Sequence, residues 1–179
     1  GAPIALAFLP GPATAAPYLK AAERLRGASL EAAIFVSPPQ VAAAEAQIVE
    51  VWNESFFAPL GPVARRAPFL FVPGVRSQIP AGLYPRDAKE DAAWSRDFGC
   101  VHLIALDGAA LRRPTQRQPI LAWLDQDLAK RPSGTVWTVV TLAEPLFAEQ
   151  LVNARALEAL DIRLERAGDR QAAGERLGR

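Results

Sequence analysis

Three short apolar runs, each shut off by proline, do most to restrict what this chain can fold into. Ile4–Leu9 runs into Pro10, Gly11 and Pro12, Ala32–Val36 into Ser37, Pro38 and Pro39, and Phe69–Val72 into Pro73 and Gly74. Runs of this length between turn-forming residues suit buried strands, because proline cannot donate to a β-ladder and marks where strand gives way to loop. Between the first two runs, Tyr18, Ala21, Ala22 and Leu25 recur at helical spacing over Thr14 to Arg26, with Thr14 as the N-cap and Gly27 as the stop. Between the second and third, Gln40 to Ala58 is helical, with Val41, Ala44, Ile48, Val51 and Trp52 on one side, and Pro59, Gly61 and Pro62 end it. Strand, helix, strand with helical connections implies parallel pairing through right-handed crossovers, and so an α/β fold.

The rest of the chain adds elements to the same plan. Residues 75–93 are rich in proline, glycine and charge without sustained periodicity, which predicts a long surface loop. Asp97 to Asp107 reads as a strand pair or a bent strand that turns at Gly99. Gln116 to Lys130 is a helix with Ile120, Leu121, Leu124 and Leu128 as its core face, and Thr135 to Leu142 is a further strand. Phe147 to Leu160 follows as a helix and Ile162 to Leu164 as a short strand, while Gly168 to Arg179 is expected to fray. With no repeat and no linker, and with half of its 179 residues apolar, the chain reads as a single domain, 1–179, with ample material for a core.

Charge narrows the function classes. Twenty Lys and Arg against nineteen Asp and Glu leave a formal charge of +1, too little for a broad field that would draw in nucleic acid or an anionic membrane. Arg112, Arg113 and Arg117 cluster without interleaved aromatics, so they read as a solvated loop rather than a nucleic-acid surface. No apolar run reaches the roughly 18 residues of a transmembrane helix, so no transmembrane segment is expected. The chain opens on Gly1, Ala2 and Pro3 and holds no methionine, which suits a processed chain or an excised piece. Cytoplasmic residence and export after removal of a signal both stay open. Cys100, the single cysteine, allows no internal disulfide and reads as a small buried hydrophobe, and Trp52, Trp94, Trp123 and Trp137 read as core.

Three segments in order carry a resemblance: Trp94–Asp107 (WSRDFGCVHLIALD), Gln118–Leu128 (QPILAWLDQDL) and Trp137–Phe147 (WTVVTLAEPLF). Together with Pro73 and Gly74 after the third run, they resemble the middle of a calcineurin-like metallophosphoesterase, of the purple-acid-phosphatase-like kind. The resemblance implies a four-layer α/β/β/α sandwich, here with a second sheet left incomplete because the chain stops soon after Asp169. It also implies where a two-metal centre would be built, in the loops after the strands. Pro10 and Pro12 stand at the first ligand position, Pro38 at the bridging carboxylate, Val75 and Arg76 at the asparagine and histidine of the third signature, Leu142 or Ala143 at the fourth, and Asp169 and Gln171 at the last two histidines. Proline, valine, leucine and alanine offer no donor atom, and the carboxylates that remain, Glu144 and Asp169, are too few to hold two cations.

The resemblance therefore implies a degenerate member without metal or other cofactor: a pseudoenzyme serving as an interaction or scaffold subunit. Its partner, or a second copy, would cover the open C-terminal sheet edge. Two alternatives stay open, a metal-dependent phosphoester hydrolase with an atypical site and a non-hydrolytic anion-binding module using Arg76 and Arg170, which otherwise pair with Glu144 and Asp169. His102, the only histidine, lies within an apolar strand and reads as structural. A Ser37, His102, Asp107 triad would require it, but no glycine-rich elbow surrounds Ser37.

Overall fold

The structure, a computed structural model, describes residues 4–9, 16–36, 47–74 and 92–143. It is mixed α/β, with its described strands in two small sheets. Chain contacts divide it into two compact units, Gly1–Asp91 and Ala92–Arg179. The expected cap Thr14, the start of the helix at Gln40, most of the 75–93 loop, the helix 147–160, the strand 162–164 and the tail 168–179 lie outside the described residues.

The first unit is built from β1 (Leu6–Leu9), α1 (Ala16–Leu25), β2 (Ala32–Phe35), α2 (Ile48–Trp52), a π turn (Asn53–Phe57), α3 (Ala58–Ala64) and β3 (Phe69–Phe71). The strands pair parallel in the order β1-β2-β3, as the alternation of runs and helices implies. The central strand β2 is buried along its whole length, whereas β1 at the edge leaves Phe8 largely exposed. Phe35 is the hub of an aromatic core. Its ring stacks on Phe71 at 5.1 Å and meets Phe56 at 4.8 Å and Phe69 at 5.0 Å edge-on, while Tyr18 of α1 meets Phe56 at 5.0 Å and Trp52 does so at 5.2 Å. Offset and edge-on pairs of this kind add about 0.5–1.5 kcal/mol each beyond area burial.

The second helical stretch does not stop at Pro59. It runs on to Ala64, with Pro59 near the start of α3 and Pro62 inside it. The π turn explains the continuation: the Ala58 N–H donates to Asn53 O, five residues back, so the helix restarts at Ala58 and Pro59 falls in a first turn that needs no N–H. Past its end, Arg66 donates from Nη2 to Leu25 O at 3.2 Å and from Nη1 to Arg26 O, satisfying carbonyls that the end of α1 leaves without helical partners.

The second unit contains β4 (Ala93–Phe98), β5 (Val101–Leu106), α4 (Gly108–Arg112), α5 (Pro114–Lys130) and β6 (Trp137–Leu142), with sheet order β4-β5-β6. The strand expected from Asp97 begins four residues earlier, at Ala93, so the last residue of the expected 75–93 loop belongs to the sheet. Gly99 and Cys100 form a two-residue hairpin loop, and Gly99 sits at φ 54°, where a side chain would be strained. Cys100 is thus a half-buried turn residue and not a strand hydrophobe. β4 and β5 pair antiparallel, while β6 returns parallel to β5 after α5. Asp107 caps the short α4, its side chain accepting from Ala110 N at 3.0 Å.

The expected core face of α5 is buried as a set, Ile120, Leu121, Leu124 and Leu128, against Ala93, Ile104 and Leu106 of the sheet. Pro119 lies inside α5 as its sixth residue, past the first turn in which a missing N–H costs no hydrogen bond. Trp52 and Trp94 are buried and Trp123 packs on the core of this unit, but Trp137 is 65% exposed, and Val136 beside it 69%. That tryptophan belongs to the surface: it opens β6, which ends the described strand order of this sheet on one side.

Candidate functional site

The pairing register places the chemistry. Asp97 lies opposite His102, and Ser95 opposite Ile104, on the sheet face that carries Ile104 and Leu106 toward α5. On α5, Asp127 falls seven residues after Ile120 and three after Leu124, so helical geometry puts a carboxylate on the apolar face. These positions converge. His102 Nδ1 lies 2.6 Å from Asp97 Oδ1, His102 Nε2 lies 2.9 Å from Asp127 Oδ2, and Ser95 Oγ donates to Asp127 Oδ1 at 2.6 Å.

The protonation state follows from the partners. An ionised carboxylate only accepts, so an imidazole with a carboxylate on each nitrogen needs an N–H at both and is therefore a cation. The hydrogen bond with Asp127 is the largest influence raising the His102 pKa above its ordinary value; burial opposes it, and Asp97 adds to the rise. Exposure is graded across the cluster: His102 is 3% exposed, Asp127 17% and Asp97 47%. The cluster meets water on the Asp97 side.

Beside it, Thr138 of β6 is the register partner of His102, and its hydroxyl accepts from Arg131 Nη1 at 2.7 Å. Arg131 directly follows α5, so a second polar tie links that helix end to the sheet.

This arrangement binds structure together and leaves little for chemistry. An imidazolium has no lone pair with which to take a proton or ligate a metal. Ser95 donates to the same carboxylate as the imidazole instead of to the imidazole itself, so nucleophile, base and acid are not in relay order. Asp107, in its capping role, is not the partner of His102, which removes the Ser37, His102, Asp107 arrangement; Ser37 is outside the described residues. Among the described residues, no group of three or more His, Cys, Asp or Glu is arranged to hold a metal ion.

Of the positions where the family resemblance would put ligands, two are described. Leu142 ends β6 and packs on the apolar core under α5, and Ala143 is half-buried just after it. Pro10, Pro12, Pro38, Val75, Arg76, Glu144, Asp169, Arg170 and Gln171 lie outside the described residues. Because β1, β2 and β3 are parallel, the chain leaves all three at one edge, after Leu9, Phe35 and Phe71. Neither Asp97, expected only as the start of a strand, nor Asp127 is among the expected site residues, although both leave a signal: Asp127 interrupts an otherwise apolar helix face, and Asp97 and His102 flank the hairpin glycine.

Among the described residues no helix is long and apolar enough to cross a membrane. Comparison with protein-family models and with curated proteins gave no match.

Proposed function

We propose that this chain is a non-catalytic interaction module, a metallophosphoesterase-like scaffold whose reactive groups have been replaced by structural ones. The observation that carries the reading is the commitment of the single imidazole: both nitrogens of His102 are bonded to carboxylates, so the residue best suited to ligate metal or move a proton is spent on joining α5 to the sheet. Leu142 and Ala143 at the end of β6 add support, since neither side chain has a donor atom where a ligand would stand. With this goes the finer fold reading, a four-layer α/β/β/α sandwich of the metallophosphoesterase type. A protein partner or a second copy would bind at the outer edge of β6, where Val136 and Trp137 expose apolar surface.

The test is metal content and turnover together. The purified protein should carry no stoichiometric manganese, iron or zinc and should release no phenolate from an aryl phosphate with any of these ions added. Stoichiometric metal accompanied by hydrolysis would overturn the reading.

A further inference from the structure

We propose that the hairpin joining β4 and β5 is a proton-operated latch: the Nδ1 proton of His102 holds Asp97 onto the imidazole, and its loss releases Asp97 to water while Nε2–H stays on Asp127. This goes beyond the scaffold reading and does not depend on it. When the imidazolium gives up a proton, one of its two contacts becomes lone pair against carboxylate and must open, and unequal exposure decides which. Asp97, 47% exposed, can rehydrate; Asp127, 17% exposed and held through its other oxygen by Ser95, has less access to water and less freedom to turn toward it. The neutral ring is therefore the Nε2–H tautomer, with a bare Nδ1 on the solvent side.

The groups that face the ring are few. From β4 come Asp97 and Ser95, from α5 Asp127, and from β6 Thr138 with the Arg131 guanidinium bonded to it. Arg96, next along β4, donates to Ser95 O at 3.1 Å and adds a second nearby cation. The two carboxylates favour the ring proton and burial of the ring opposes it. What the latch governs is the hairpin tip. Asp97 lies two residues before Gly99, and Cys100 O at the tip accepts from Val136 N at 2.8 Å and Trp137 N at 3.0 Å. The tip thereby seats the exposed apolar pair that opens β6.

Nitrogen-15 NMR of the imidazole across an alkaline titration tests this, read with the thermal midpoint of the same samples. As pH rises, the Nδ1 proton should be lost and the Nε2 proton should persist. In Asp97→Asn, which keeps the fold's polar volume at an exposed site, the loss should shift to lower pH and the alkaline fall of the thermal midpoint should flatten. Loss of the Nε2 proton first, or an Nδ1 titration that does not move in Asp97→Asn, would overturn the proposal.

Discussion

The two units solve the same problem, fixing a helix against a small sheet, with different materials. In the first, Tyr18, Trp52 and Phe56 bring α1 and the second helical stretch onto Phe35 and Phe71 by aromatic contact, with Ala22, Leu60 and Val63 buried beside them. In the second, Leu124 and Leu128 supply the apolar contact of α5, but the last turn of that helix is joined to the sheet by charge, through Asp127 to His102 and Ser95. Apolar burial is indifferent to pH, whereas an ion pair with an imidazole holds only while the ring keeps its proton. One unit should therefore ignore pH near neutrality and the other should respond to it.

The sharpest way to break the comparison is at Phe56, fully buried in the π turn and in contact with Tyr18, Phe35, Trp52, Phe57, Phe69 and Phe71. Phe56→Ala should cost about 3–5 kcal/mol through the cavity it leaves, read in urea unfolding, with the same loss at pH 6 and pH 9. A loss that changed strongly with pH would erase the contrast between the units.

Next in size is Asp127→Ala, expected to cost about 2–3 kcal/mol near neutral pH, because it leaves a buried imidazole nitrogen and the Ser95 hydroxyl without their acceptor. Its pH dependence has a definite sign. A folded-state pKa raised above about 6.5 gives stability that is fully present below that value and is lost as pH rises through the raised one. The difference between wild type and Asp127→Ala should thus shrink toward alkaline pH in paired unfolding curves. A difference that grew with pH would show that the imidazole is bound as the neutral form.

The smallest effect sharpens the aromatic side. Tyr18 is buried against Phe35 and Phe56, its Oη has no hydrogen-bond partner among the described residues, and burial pushes its phenol well above the usual range. Tyr18→Phe removes a buried polar atom that has nothing to bond, so it should raise stability, by up to about 1 kcal/mol in the same urea assay. Destabilisation of that size would mean that the hydroxyl is satisfied.

How far the fold could be read from sequence follows the same divide. The three apolar runs as strands, the Gly99 turn and the Ile120, Leu121, Leu124, Leu128 face all depend on local chemistry, and all appear within two residues of where expected. The passage of the helix beyond Pro59 depends on a single π turn that shifts the hydrogen-bond register, which no periodicity encodes. Trp137 reads as core because its strand is apolar, yet exposure depends on what lies beside β6, a tertiary fact. The cluster at His102 is half legible: the apolar strand places the histidine in a buried position, but its partners come from a hairpin register and a helix face that meet only once the unit is folded.

The single imidazole, bonded to a carboxylate at each nitrogen, is a structural cation. Its most direct measurement is the protonation of both His102 nitrogens by long-range proton–nitrogen NMR at pH about 6.5, where a free imidazole is half protonated. With the pKa raised by the Asp127 hydrogen bond, both nitrogens should carry protons in well over half of the molecules. A half-protonated or neutral ring at that pH would contradict the account.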